Sequence, residues 1–477
     1  MAEKNENNKK SSATNYADYL KRKLAEQTEK QKKTDLPSPE RLDGKESSVV
    51  DVKAVKESKA DPEVKPKEES NVNPLDAKWK ETIKNDNRSK KNIQTRVEEK
   101  PEKKNGALLK RLGIIALSAV LVVALVVGGY FCYLQIGYSR LEDMRYLATM
   151  NNQASRVQVG RTYSISTFNI GFGAYGQSFS FFMDEGELMN GTKTKGKSAR
   201  ASSEEDVLNN ISGAVSLIKN KAQSDFYFFQ EVDTDSTRSY YVNQVDLLQQ
   251  NFAEYASVYA ENSHSDYLFY PLNDPIGKIN SGILTMSRFN IDYSVRRKLD
   301  IETGMIDKLF DLDRCFTVTK LPVAGTDKFL VLVNVHLSAY DDGGIREAQI
   351  AMLYNFMAEE AKKENYVIVG GDFNLSLAGD AGVFNNDMKT PLWCKNLPEA
   401  YSAEKFKEIG YNINYDISST IGTCRDASMK YTEGINLEVV IDGFITSSNV
   451  SVVTTSVVDG DFKNSDHNPV RMEFKLN

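Results

Sequence analysis

Across the first 112 of its 477 residues the chain is rich in Lys, Glu, Asn and Ser, has no Phe, and carries Pro37, Pro39, Pro62, Pro66 and Pro74. Such a stretch cannot bury enough apolar surface to offset its ordering entropy, which predicts a disordered tail over residues 1–112. Within it, "NYADYLKRKLAEQ" near Tyr16 and "DAKWKETIKN" near Trp79 have the makings of transient helices in a solvated linker. The pattern then inverts. From Leu112 to Ser139 no residue is charged, and residues 113–134 are apolar on every face. About 22 residues at 1.5 Å each reach roughly 33 Å, enough to cross the hydrocarbon core of a bilayer. A transmembrane helix is therefore expected over 113–134, followed by a stalk or linker over 135–159. In that linker "RLEDMRYLATM" places Leu141, Met144 and Leu147 at helical spacing, which predicts a short stalk helix.

From about Tyr163 the texture changes to alternating strands and amphipathic helices. "TYSISTFNI", "SDFYFFQEV", "NSGILTMS", "FTVTKLPV", "KFLVLVNVHL", "YVIVGGDFN", "LEVVIDGFITSS" and "NPVRMEFKL" read as strands. "SEEDVLNNISGAVSLIKNK" reads as a helix opened by a Ser-x-x-Asp cap, and "IREAQIAMLYNFMAEEAKKE" as a second helix. Hairpin-linked and helix-linked strands in one region of this size indicate an α/β sandwich with a mixed sheet core.

Charge divides at the apolar segment. The first 112 residues hold roughly 28 Lys/Arg and 21 Asp/Glu, a balance of about +7, so the remainder carries about −13 of the total −6. Lys103, Lys104, Lys110 and Arg111 precede the apolar run, whereas Arg140 and Arg145 beyond it are offset by Glu142 and Asp143. The positive-inside rule then places the N-terminus in the cytoplasm and the region after Tyr138 outside the cell membrane. Of the four cysteines, Cys132 lies in the apolar run, and Cys315, Cys394 and Cys424 show no metal-ligand spacing. Outside the cell Cys394 and Cys424 could pair, although nothing in their spacing requires it.

Several strands end in a polar group that a core strand does not need: Asn169, Glu231, His336, Asp372, Asn374, Asp442, and Asp466 with His467. Each alone is readily explained as a turn or a solvated end. Together they supply hard oxygen ligands for Mg²⁺, Mn²⁺ or Ca²⁺, two imidazoles for proton transfer, and neutral amides for a phosphoryl oxygen. That inventory suits in-line attack of water on a phosphoester. Arg314 and Arg425 could add charge toward a phosphate. His264 fits no such pattern and reads as a surface or loop histidine.

The ordered set "STFNI", "FFQEV", "NVHLS", "GGDFN", "VIDGF" and "SDHNPV" resembles the endonuclease/exonuclease/phosphatase (DNase I-like) superfamily over about residues 160–477. The resemblance implies a four-layer sandwich, two packed mixed β-sheets flanked by helices, with one metal-dependent site at the strand ends. It implies Glu231, Asn169 and Asp466 on the metal side, with Mg²⁺ as cofactor and Mn²⁺ or Ca²⁺ as substitutes. His467 oriented by Asp442, His336, Asp372 and Asn374 become the catalytic set, with Arg314 and Arg425 as substrate contacts. The expected activity is that of a metal-dependent phosphoester hydrolase, foremost a nuclease or phosphodiesterase acting on nucleic acid. A sphingomyelinase-like enzyme acting on a lipid headgroup, or a phosphatase, is the alternative. For it "YGQSFSFFMDEG" (residues 175–186) offers a candidate exposed apolar loop. A catalytically silent surface scaffold is the third reading, and the intact polar set argues against it.

Overall fold

Apolar strand runs become the centres of two sheets in the computed structural model, which describes residues 104–137, 140–301, 313–339, 344–384 and 386–477. The tail through residue 103, with both of its candidate helices, lies outside the described residues. Strands and helices are numbered in chain order. One sheet runs β1 (Arg145–Leu147), β10 (Tyr293–Lys298), β11 (Cys315–Ala324), β12 (Phe329–His336), β13 (Tyr366–Asp372), β18 (Asp442–Ser447) and β15 (Tyr411–Asn414), with β3 (Val157–Gln158) beside β11. The other runs β19 (Val450–Val457), β20 (Val470–Leu476), β4 (Thr162–Asn169), β7 (Phe226–Asp233), β9 (Gly277–Ser287), β8 (Ala256–Leu268) and β2 (Thr149–Met150). Both are mixed, because β4 pairs with β7 and β12 with β13 in parallel while their other neighbours are antiparallel. Two small sheets complete the strands: β5 (Glu185–Glu187) with β6 (Lys193–Lys195), and β14 (Val383–Phe384), β17 (Glu438–Val439) and β16 (Cys424–Arg425).

The two large sheets pack face to face. Ile165, Phe226 and Phe228 of one sheet share a buried cluster with Leu330, Leu332, Ile368 and Phe444 of the other. A strand buried on both faces reads as a nearly continuous apolar run, as β12 does, whereas β4 is buried with Ser164, Ser166 and Thr167 alternating among its apolar residues. A polar bridge also crosses between the sheets, where Gln230 Nε2 donates to Asn334 Oδ1 at 2.8 Å. Helices cover both outer faces. Helix α2 (Glu204–Lys221) buries Val207, Ile211, Ala214 and Ile218, and Ser203 caps it by accepting from the Asp206 amide at 3.1 Å. Its acidic first turn and basic last turn match the helix dipole. Helix α3 (Gln244–Asn251) joins it on that face. On the opposite face α4 (Ile345–Ala361) buries Ile350, Leu353 and Met357 beside Phe406 of α5 (Ala403–Glu408). The fold is thus the expected four-layer sandwich.

Helix α1 (Lys104–Gly137) is longer than the apolar run that predicts it. Its segment Ala107–Gly137 is long and apolar enough to cross a membrane, and its most apolar stretch has no buried residue.

Some expectations do not hold. The stalk helix does not form, because β1 lies on β10 and β2 on β8. Pairing with open sheet edges gives this segment a ladder, whereas two helical turns in isolation are unstable. "LEVVIDGFITSS" is two strands, β17 and β18, because Thr423 Oγ1 accepts from the amides of both Ile441 and Asp442 and fixes a bend between them. Cys394 and Cys424 are both free thiols. His264 stands within β8, its Nδ1 2.6 Å from the buried carboxylate of Asp313, so it belongs to an internal ion pair rather than to a loop.

Candidate active site

The site follows from register. His336 ends β12, directly beside Asp372 at the end of the parallel strand β13. Asp372 in turn faces Asp442 at the start of β18. Three polar side chains thereby stand in one row across three neighbouring strands. In the facing sheet Asn169 ends β4, Glu231 lies one residue past the Asn169 partner on β7, and Asp466 and His467 come just before β20, which pairs with β4. One end of the strands in both sheets therefore collects every polar strand end named above.

Backbone conformation is adapted to this purpose in two places. Glu231 has φ +54° where the β7–β9 register slips between Phe229 and Val232. A bulge with a left-handed non-glycine residue costs energy, and here it re-aims a carboxylate toward the site. Gly371 has φ +146°, and a Cβ there would lie 2.0 Å from the Val335 carbonyl oxygen. Only glycine lets β13 approach β12 closely enough to seat Asp372 beside His336.

Asn169 ties the two halves together, its Nδ2 donating to Glu231 Oε1 at 3.2 Å and to Asp372 Oδ2 at 3.0 Å. Its own Oδ1 accepts from the Gly171 amide at 3.0 Å. Asp372 Oδ1 accepts from the Asn374 amide at 2.8 Å, and Asn374 Nδ2 donates to the Leu337 carbonyl at 2.9 Å. His467 Nδ1 lies 2.8 Å from Asp442 Oδ2, and its Nε2 is 3.7 Å from Asp372 Oδ2. His336 Nε2 is 3.5 Å from that same oxygen. Ligand atoms of Asp372, Asp442 and His467 all fall within 4.8 Å of one another.

Electrostatics separates the two histidines. Burial, reinforced by Arg314 and then His467, holds His336 well below its usual value, so its ring is neutral near pH 7. Burial opposes protonation of His467 too, but Asp442 outweighs it and holds that imidazole well above its usual value. Two groups of one type driven apart in this way can take opposite roles in proton transfer. Burial, with Asp442 adding to it, pushes Asp372 up to about 7. Burial also pushes Asp466 up to about 6, with Glu231 contributing repulsion.

Glu231 thus adds like-charge repulsion to Asp466, and oxygen donors of this kind fit the chemistry of a hard divalent cation. The fit has a measurable consequence. Because the folded pKa of Asp466 is raised, the cation-free fold loses stability as pH climbs from the ordinary carboxylate range through about 6. A bound cation removes that cost and competes with the proton. The shift in Tm produced by Mg²⁺ or Mn²⁺ should therefore grow from pH 5 to pH 8, reaching about 5 °C or more at roughly a hundred times Kd. A shift independent of pH would show that these carboxylates are not the ligands.

The arginines differ from the rest. Arg425 is buried beneath the site, where its guanidinium donates to the carbonyls of Asp426 and Gly176 at 3.2 and 3.3 Å and its amide donates to the Asp466 carbonyl at 2.9 Å. It shapes the loop that carries Asp466. Arg314 lies near enough to disfavour charge on His336. Residues 175–186 do not form an exposed apolar loop, since Tyr175, Phe179, Phe181 and Phe182 are all buried in the core beside α2. Sequence reading missed three contributors. Cys424 bridges to His467 across the backbone and adds to its raised pKa. Ser465 Oγ donates to the Asn169 carbonyl at 2.7 Å and joins the last loop to β4. Arg238, paired bidentately with Asp233, lies 3.8 Å above the Phe172 ring next to Glu231. Cys424–His467 and Ser465–Asn169 join segments distant in sequence, and Arg238 meets Asp233 only through the turn after β7, so none of these pairings shows in the residue pattern.

Carboxylates, amides and imidazoles gathered at one strand end of a two-sheet sandwich supply the donors and acceptors that phosphoester hydrolysis uses. The chain belongs to the endonuclease/exonuclease/phosphatase family, whose model matches residues 166–467. Phosphoester hydrolysis is the chemistry of that family. Among solved structures, an endonuclease/exonuclease/phosphatase from Beutenbergia cavernae is similar at 16% identity and TM-score 0.45, over 66% of this chain and 72% of that one. The human Nocturnin catalytic domain with bound sulfate anion is similar at 15% identity and TM-score 0.41, over 69% and 98%. Truncated Caenorhabditis elegans TDP2 is similar at 14% identity and TM-score 0.38, over 67% and 99%. No curated protein matches the chain.

Proposed function

We propose that the chain is a membrane-anchored phosphodiesterase, foremost a nuclease, whose domain over residues 160–477 hydrolyses its substrate outside the cell. The observation that carries this reading is the row His336–Asp372–Asp442 closed by His467 from the facing sheet. His467, charged near neutral pH, holds a non-bridging phosphoryl oxygen or protonates the leaving group. Asp372, with a pKa of about 7, accepts the proton of the attacking water. Neutral His336 lies on the same Asp372 oxygen and stabilises charge as it develops. Asn374 and Asn169 fix Asp372 and Glu231 without adding charge. Glu231 and Asp466, with Asn169 beside them, would hold Mg²⁺, which supplies positive charge to the phosphoryl oxygens.

The tail over 1–112 would lie in the cytoplasm and the helix within 113–134 in the membrane, by the basic residues before the apolar run. The net charge of about −13 beyond the tail disfavours tight nucleic-acid binding and leaves a weakly held, turned-over substrate. The test is a substrate panel on the purified full chain: duplex DNA, RNA, sphingomyelin, inositol phosphates and bis-p-nitrophenyl phosphate. Turnover of a phosphodiester with Mg²⁺ or Mn²⁺, abolished by EDTA, is expected. Failure across the whole panel would overturn the enzymatic reading.

A further inference from the structure

The tip between β8 and β9, residues 269–276, carries three exposed apolar side chains: Phe269 at 53%, Tyr270 at 57% and Leu272 at 86% exposure. This tip is built onto the end of α1. Tyr130 Oη donates to the Tyr267 carbonyl at 3.2 Å and accepts from the Phe269 amide at 3.0 Å. Tyr133 Oη accepts from the Tyr267 amide at 3.3 Å. The Tyr130 ring meets Phe269 edge-on at 5.5 Å, and Phe269 packs on Tyr267 at 4.7 Å. On the domain side Tyr270 packs on the buried ring of Phe182 at 5.6 Å.

The chain leaves no slack between helix and domain. Arg140, three residues after the helix ends at Gly137, already donates to the Leu299 carbonyl at 2.8 Å, and the Leu141 amide donates to Asp313 at 2.9 Å. Three residues span at most about 10 Å. A domain tethered so briefly to a membrane-crossing helix must lie against the bilayer, and the element joined to that helix is the β8–β9 tip. Aromatic side chains at the level of the lipid headgroups are the favoured residues for such a position.

We infer that the β8–β9 tip seats the domain on the leaflet from which α1 emerges, with Phe269, Tyr270 and Leu272 entering the lipid interface. The inference rests on the proposed membrane span and adds a fixed orientation to it. Its partner is the bilayer itself.

The test uses the full chain in nanodiscs of phosphatidylethanolamine and phosphatidylglycerol, with and without brominated acyl chains. Single environment-sensitive labels are placed at Leu272→Cys, Val122→Cys or Val453→Cys in a Cys132→Ser, Cys394→Ser background. The remaining thiols, Cys315 and Cys424, are buried. Val453 is exposed on β19, at the opposite edge of the sheet from β8, roughly 24 Å away across five strand spacings. Brominated lipid is expected to quench the labels at Val122 and Leu272 at least about twofold while the label at Val453 stays unchanged. Quenching at Val122 with none at Leu272 overturns the seating and leaves the span intact. Absence of quenching at Val122 overturns the span, and the seating with it.

Discussion

Asp442→Asn is expected to lower kcat on bis-p-nitrophenyl phosphate by about 10³- to 10⁴-fold while leaving KM within a few-fold. The reason lies in one hydrogen bond. Asp442 Oδ2 accepts from His467 Nδ1 at 2.8 Å, fixing both the orientation and the tautomer of the ring. Asparagine fits the same space but can present its NH₂ to that nitrogen, reversing the bond and turning the proton to the wrong side of the imidazole. The substitution also removes the charge that holds His467 well above its usual pKa. Sign follows directly. If the protonated ring is the working form, activity falls as pH rises through the His467 pKa, and lowering that pKa moves the alkaline limb of the profile to lower pH. An NMR titration of the His467 ring protons reads the same shift without catalysis. An unmoved limb and an unmoved ring titration would remove Asp442 from its positioning role.

Glu231→Gln should be nearly as damaging to activity, about 10²- to 10³-fold, through a different route. Glutamine retains an oxygen to accept from Asn169 Nδ2, the 3.2 Å contact that joins the two halves of the site. The bulge with φ +54° also remains, since either side chain pays the same backbone strain. Folding stability should therefore change by less than about 1 kcal/mol. What disappears is a negative oxygen ligand, so calorimetric titration with Mn²⁺ should show binding weakened by at least about tenfold. Relief of Glu231 repulsion should also move Asp466 back toward the ordinary carboxylate range. Undiminished Mn²⁺ binding would mean that the cation site lies elsewhere. A large fall in Tm would instead make Glu231 a structural residue.

These two positions show how differently parts of the site could be read in advance. Glu231 follows an apolar strand run as a single unexpected charge, and Asp442 interrupts another, so both stand out in one dimension. Their partners do not. Asp442 meets His467 only because β18 and the loop before β20 come from facing sheets. Cys424 and Ser465 reach the same place by backbone pairing and a loop contact, and neither has a partner near it in sequence that would reveal this. The aromatic segment at residues 175–186 misled in the other direction. Its composition suits a membrane-facing loop, yet α2 and the neighbouring sheet cover it, whereas Phe269, Tyr270 and Leu272 of the β8–β9 tip stand exposed.

The sequence alone determined what depends on short-range physics. Apolar runs specified the strands, Ser203 the start of a helix, a charge-free stretch a helix able to cross a membrane, and polar strand ends the chemistry available. Tertiary structure decided what depends on neighbours distant in the chain. It placed His336, Asp372 and Asp442 in one row, turned the expected stalk helix into edge strands, and set two chemically identical histidines at opposite protonation states. A side chain's pKa and its partners are properties of the space around it, and that space is filled by residues the local sequence does not contain.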